Sequence, residues 1–293
     1  MPTPYQKTGY LHSDYRLFYL TTPPAHSIPY HYHDFHKLLI LLGGSIGYGI
    51  EGRQYQLQPG DVVFVASGRI HAPVFTQDAP YERLIIYLSP GFGDRYHEEG
   101  CDLLRCFKRT DEAGQDRPEL FRASVQDAQE LSVLAKQLKN TIAADSTQDP
   151  YSSLLQRAKL IELLIFLNRA GSQPDYAFTG DVSENPVIRR CIEYINTHLT
   201  QDELNADQIA GAVFLSRSYL MHLFKAEMGC TLGEFITEKR LYLANSMLGT
   251  GAAITQACFQ SGFKNYSAFY YAYRKKYHCS PAARGLHGHV AEE

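Results

Sequence analysis

No two of the six cysteines stand in the CxxC spacing of zinc or redox pairs; they fall singly at positions 101, 106, 191, 230, 258 and 279. A disulfide framework and a cysteine zinc site therefore find no support, and the thiols read as small, reduced core residues. Long apolar runs are missing too. The most apolar stretch, residues 38–50, is broken by Gly43, Gly44, Gly47 and Gly49, and it falls short of the roughly 20 residues that span a bilayer. The first residues lack the charged, apolar, small-residue order of a secretory signal, so a cytoplasmic protein with no membrane partner is expected. Charge of one sign is scarce as well, with a formal net charge of −3.

That balance hides an asymmetry. Within residues 186–286, eleven basic side chains face seven acidic ones, a surplus of +4 against −7 in the rest of the chain. The sign favours an anionic partner for the C-terminal part. At 293 residues, two domains are the natural expectation.

Residues 28–90 read as short strands. Apolar or alternating runs at 38–42, 55–57, 62–65 and 84–88 are separated by Gly43-Gly44, Glu51-Gly52, Pro59-Gly60-Asp61 and Ser67-Gly68, a pattern of sandwiches and barrels. From residue 118 to 170 the period becomes helical. Phe121, Val125, Ala128, Leu131, Ala135, Leu138 and Ile142 form one stripe. The next helix, residues 154–167, is apolar nearly all round, with Leu154, Ala158, Ile161 and Ile165 on one side and Leu160, Leu163, Leu164 and Leu167 on another. Such a helix must be covered on every side, either within one chain or by a second subunit. Residues 171–185 are polar and read as a linker. The expected architecture is α+β in two domains: residues 1–170 a barrel-like domain with dimerisation helices, residues 186–286 all-α.

The all-α part repeats a short motif. Asn185 caps a helix opened by Pro186, whose buried stripe is Ile188, Cys191, Ile192, Ile195 and Leu199. A short helix buries Ile209, Ala210 and Val213. Ser216 then caps another with Leu220, Leu223 and Phe224 inward, and Gly229 ends it. Thr231 and Glu234 have capping-box spacing ahead of a long helix that buries Phe235, Ile236, Leu243, Ala244, Met247 and Leu248. The pattern then returns: Ile254, Ala257 and Cys258 inward, Gly262-Phe263 at the turn, and Asn265 capping a helix with Phe269 and Tyr273 inward. Two helix-turn-helix units joined by one rigid helix can enter successive major-groove segments about 34 Å apart.

The series Leu204, Ile209-Ala210, Leu215-Ser216, Tyr219-Leu220, Phe224-Lys225 and Gly229, followed by Arg240, Ala244, Leu248, Ile254, Gly262-Phe263, Phe269 and Ser280-Pro281, resembles the AraC/XylS family of bacterial regulators. The resemblance implies binding of double-stranded promoter DNA, contact with RNA polymerase and no enzyme activity. It implies that one recognition helix presents Arg217, Ser218, Met221, His222 and Lys225 to the DNA, and the other Tyr266, Ser267, Ala268, Tyr270, Tyr271, Arg274 and Lys275. These are also the outward positions of each helix. His222 and Tyr271 stand where the family commonly has arginine, which removes the fork suited to guanine edges. Cys258 replaces a usual alanine, and Arg284 falls one place early.

At the front, His31-Tyr32-His33, Pro59-Gly60-Asp61 and Gly68 with His71 resemble the cupin barrel that often precedes this family's DNA-binding domain. The resemblance implies a homodimer that responds to a small effector, a sugar or other organic molecule. His31, His33, Tyr48, His71, Tyr81 and Arg83 are the polar groups expected around it. His31, His33 and His71 are also a candidate metal set, but Lys37 stands where metal-binding cupins usually carry glutamate, and an ammonium repels a cation. No cofactor is therefore expected. A metal-dependent cupin enzyme or metal sensor fused to DNA-binding helices remains the alternative, and a ligand-independent architectural protein with a filled barrel is a third class. The N-terminal arm with Tyr5, Tyr10, Tyr15 and Tyr19 is read as able to close over the pocket.

Overall fold

The computed structural model describes residues 11, 13–23, 28–75, 80–96, 98, 100–108, 110, 117, 119–142, 149–171 and 182–283. Tyr5, Tyr10 and Arg284, named above, lie outside them. The chain divides into two units, Met1–Ser183 and Glu184–Glu293.

The described residues hold nine strands: β1 Tyr15–Thr22, β2 His36–Gly43, β3 Ile46–Ile50, β4 Arg53–Leu57, β5 Val62–Val65, β6 His71–Val74, β7 Tyr81–Leu88 and β8 Leu120–Phe121 in the first unit, and β9 Val182–Glu184 at its end. They form a five-stranded sheet in the order β1-β7-β2-β5-β8 and a four-stranded sheet in the order β6-β3-β4-β9. Strand alternation sorts the side chains into two layers. Leu39 and Leu41 of β2, Val63 and Val65 of β5, and Ile85 and Tyr87 of β7 pack between the sheets against Ile46, Tyr48 and Ile50 of β3 and Tyr55 and Leu57 of β4. Their neighbours Leu38, Ile40, Val62, Phe64, Leu84 and Ile86 point the other way. There they meet α1 (Val125–Ile142) and α2 (Ser152–Ala170) through Leu131, Leu134, Leu138, Leu160, Leu163, Leu164 and Leu167.

All four expected turns bend on a glycine with positive φ: Gly44, Gly52, Gly60 and Gly68. At Gly44 the need is also steric, since a Cβ there would overlap the Pro80 carbonyl oxygen. The helical stripe differs from expectation at its start. Phe121 is strand residue, paired with Val62 across β5 and β8, while Val125 and Ala128 are exposed on the first turns of α1. The tyrosines of the arm differ as well. Tyr15 and Tyr19 sit on β1, where Tyr15 packs on Phe92 and Tyr19 donates a hydrogen bond to Glu82 Oε1 at 2.8 Å. Strand alternation turns them toward the helices, away from the inner layer that Phe18 and Leu20 join.

The second unit holds α3 (Pro186–His198), α4 (Ala206–Ala212), α5 (Arg217–Met228), α6 (Leu232–Gly249), α7 (Ile254–Gln260) and α8 (Tyr266–Tyr277). Its helix starts follow the expected caps. Asn185 accepts from the Val187 and Ile188 amides, Ser216 from Tyr219 and Asn265 from Ala268, while Thr231 and Glu234 cap reciprocally. Each such cap contributes about 1 kcal/mol. Gly229, at φ 67°, ends α5. A further capping box, Asn205 with Gln208, opens α4. The core of the second repeat is Leu241, Ala244, Leu248, Ala257, Cys258, Phe263, Phe269 and Tyr273, and the Tyr273 hydroxyl donates to Asn245 Oδ1 at 2.7 Å. Leu243 and Met247, expected inward, are half-buried, and Leu241 takes the deeper place. All six cysteines are free thiols. Among the described residues no helix is long and apolar enough to cross a membrane.

Candidate functional site

In each helix-turn-helix unit, the inward residues fix which side chains are left for a partner. Leu220, Phe224 and Met228 anchor α5, so Arg217, Ser218, Met221, His222 and Lys225 project from its opposite face and are exposed. Arg217 is steadied by Asp207 of α4 at 3.1 Å, a solvent-exposed pair of small energetic weight. On α8, Phe269 and Tyr273 are buried, which turns Tyr266, Ser267, Ala268 and Tyr271 outward, with Tyr271 73% exposed. Tyr270 is half-buried; it stacks on Tyr266 and carries the Arg274 guanidinium 5.9 Å from its ring centre. Arg274 and Lys275 are exposed. Lys276 is drawn back to Glu238 of α6 at 2.5 Å and so belongs to the fold more than to the surface.

The second candidate site lies between the sheets. His31 and His33 stand in the segment before β2, and His31 bridges to His71 at the start of β6 by two backbone hydrogen bonds. Nitrogen atoms of His31, His33 and His71 lie within 4.8 Å of one another. Tautomers follow from the acceptors. His31 Nδ1 faces the Pro29 carbonyl at 2.8 Å and His71 Nδ1 the Arg69 carbonyl at 3.0 Å, so both Nδ1 atoms carry hydrogen and both Nε2 atoms are acceptors. Lys37, inward on β2, donates to His71 Nε2 at 3.4 Å. Tyr48 stacks on the His71 ring, and the Arg83 guanidinium lies 3.9 Å from the Tyr81 ring centre. All six residues expected around an effector are thus brought to this inner region. Lys37, Phe35 and Tyr87 line it too; counting two and four residues back from Leu39 and two ahead from Ile85 would have found all three.

The electrostatics are one-sided. Burial, then the charge of Arg83, pushes the Lys37 ammonium down to about 7. Burial, then Lys37 and the two other histidines, holds His71 well below its usual range. The three imidazoles match a metal centre in type, spread and carbonyl support. The charge does not match: an ammonium occupies the lone pair that His71 would offer, and among the described residues no carboxylate joins the three imidazoles to offset a bound cation.

A profile described as an AraC-like ligand binding domain matches residues 17–164, half of the chain, and one described as a helix-turn-helix domain matches residues 209–284. The chain is similar to the HTH-type transcriptional activator RhaS of Escherichia coli O6:H1, 24% identical over 261 residues that cover 88% of this chain and 87% of that one. RhaS of Shigella sonnei matches to the same extent over 262 residues. Among solved structures, ToxT from Vibrio cholerae O395 aligns over 95% of this chain and 99% of its own, at 14% identity and a TM-score of 0.38. The C-terminal domain of AraT, a response regulator from Geobacillus stearothermophilus, aligns over 37% of this chain and 90% of its own, at 26% identity and a TM-score of 0.35. With both profiles matched in order along the sequence, the chain belongs to the AraC family of DNA-binding transcriptional regulators, an AraC-like ligand-binding domain followed by an AraC-type helix-turn-helix domain.

Proposed function

We propose that this regulator binds promoter DNA as a cytoplasmic homodimer and answers to a small organic effector held between the sheets of its first unit, passing the signal on to RNA polymerase rather than catalysing a reaction. The observation that carries the DNA reading is the pair of recognition helices whose outward residues have no part in the core. The base-facing groups would be Arg217, Ser218, Met221 and His222 on α5, and Tyr266, Ser267, Ala268, Tyr270 and Tyr271 on α8. Lys225, Arg274 and Lys275 would neutralise phosphates. For the dimer, support comes from α2, where Leu154, Leu155, Ala158 and Ile165 form an exposed apolar stripe opposite its buried face. An effector that shifts DNA affinity must have its own affinity shifted by DNA through the same factor.

Arg274→Ala with Lys275→Ala tests the DNA reading by fluorescence anisotropy across a salt titration. Each lost phosphate contact lowers the salt slope by about 0.9, so the double variant should lose about 2 from the slope on operator and non-operator duplexes alike. An unchanged slope sinks the assignment of α8 to the DNA backbone.

A further inference from the structure

The region between the sheets holds two long basic side chains with no carboxylate partner among the described residues. Lys37 and Arg83 are each 3% exposed. They lie on the inner face of adjoining strands, since Lys37 pairs with Tyr87 and Leu41 with Arg83 in the β2–β7 ladder. Among the described residues neither has a carboxylate partner. The neighbouring acids are committed elsewhere: Glu51 to Arg69 at 3.2 Å, Asp61 to Arg122 at 2.7 Å, and Glu82, on the outer face, to Tyr19 and Lys139. Buried charge is tolerated when paired and costly otherwise. A guanidinium has no neutral form to retreat to.

Hydrogen-bonding capacity remains as well. Arg83 uses Nη1 for Thr22 Oγ1 at 2.8 Å and the Tyr81 carbonyl at 2.9 Å, which leaves the other edge of a planar five-donor group. Lys37 uses one of its three hydrogens on His71 Nε2. Around them stand flat, mostly apolar walls: Phe35, Tyr48 and Tyr87. Donors without acceptors and positive field without counter-charge call for an anion, and aromatic walls call for an organic body.

We infer that the effector is a small organic acid, its carboxylate drawn to Lys37 and Arg83 and its ring or chain laid against Phe35, Tyr48 and Tyr87. The inference rests on the reading of this region as the effector site, and it names the class of ligand that reading left open. It also gives Lys37 a use: the residue that excludes a cation is the one that admits an anion.

The test uses the full-length chain, its Lys37→Met variant, and probes matched except for charge: benzoate against benzyl alcohol, galacturonate against galactose. Melting temperature reads binding, because a ligand held only by the folded state stabilises it by an amount that grows with the logarithm of its concentration over Kd. The expected result is stabilisation by an acid but not by its neutral counterpart, weakened at least tenfold in midpoint concentration by Lys37→Met. Equal shifts in the two proteins, zero included, overturn the inference. So does stabilisation by the neutral member alone, or by zinc ions in a manner lost with His33→Ala. Operator anisotropy with each probe separates the two readings. An acid that binds through Lys37 without moving DNA affinity leaves the site and removes its effector role; a neutral molecule that moves DNA affinity does the reverse.

Discussion

Leu164→Asp is expected to unfold the first unit, while Leu154→Asp, in the same helix, should leave it folded and break the proposed dimer. Leu164 is 0% exposed and packs in the layer that joins α1 and α2 to the outer face of the five-stranded sheet. Removing a buried leucine costs about 2–5 kcal/mol before any charge is considered, and an unpaired carboxylate adds to that. A domain with roughly 5–15 kcal/mol in hand does not absorb such a loss safely. Leu154 is 66% exposed and sits in the first turn of α2, where an aspartate also suits the helix dipole. Its replacement should move stability by no more than about 0.5 kcal/mol. Circular dichroism and sedimentation distinguish the outcomes: Leu164→Asp loses structure, whereas Leu154→Asp and Ile165→Asp sediment as folded monomers with weakened binding to paired sites. Folded Leu164→Asp at the wild-type melting point contradicts the packing. Dimeric Leu154→Asp and Ile165→Asp contradict the interface.

This split of α2 shows what periodicity reveals and what it leaves open. Counting threes and fours separated two apolar sides of the helix, but both sides consist of the same residue types, and only the sheet decides which one is covered. Leu164 proves to be core, and Ile161, on the other counted side, is still packed against it, which leaves Leu154, Ala158 and Ile165 exposed. The helix starts of the second unit were legible because a cap is local, set by Asn185, Ser216, Thr231 or Asn265 and the next three residues. Strand β3 was not, since Ile46-Gly47-Tyr48-Gly49-Ile50 spends two of five positions on glycine, which weakens the strand signal. Nor was the junction in which Glu119 receives Arg53, Arg69 and Tyr55. Its members come from distant parts of the chain, and no local pattern announces them. In the candidate pocket, the residue types were legible and the sign of the field was not. Lys37 read as an obstacle to metal; that Arg83 shares its inner face, four residues along the neighbouring strand from its own partner Tyr87, is a fact of register.

Gly262→Ala should disable the second helix-turn-helix unit although it touches neither recognition helix's outward face. Gly262 has φ +94°, and a Cβ there would overlap the Leu199 carbonyl oxygen and stand 2.8 Å from Arg240 Nε. The same carbonyl accepts from Arg240 Nε at 3.0 Å, and the Gln201 carbonyl accepts from Arg240 Nη2 at 2.6 Å. One arginine on α6 thus holds the end of α3, and the turn between α7 and α8 lies close against both at a glycine, where a Cβ would not fit. This joint sets where one repeat stands relative to the other, and DNA offers its major-groove segments at a fixed spacing. Strain at a left-handed backbone position costs about 1–3 kcal/mol, and displacing Arg240 from its carbonyls adds to it. Protection from hydrogen exchange over residues 254–277 should fall by roughly thirtyfold, the equivalent of about 2 kcal/mol. Arg240→Ala removes the tie without the backbone strain. It should lower affinity for a duplex with both major-groove segments and spare binding to a duplex that offers the α5 segment alone. Equal losses on the two duplexes would show that Arg240 serves stability in general and not the spacing of the repeats.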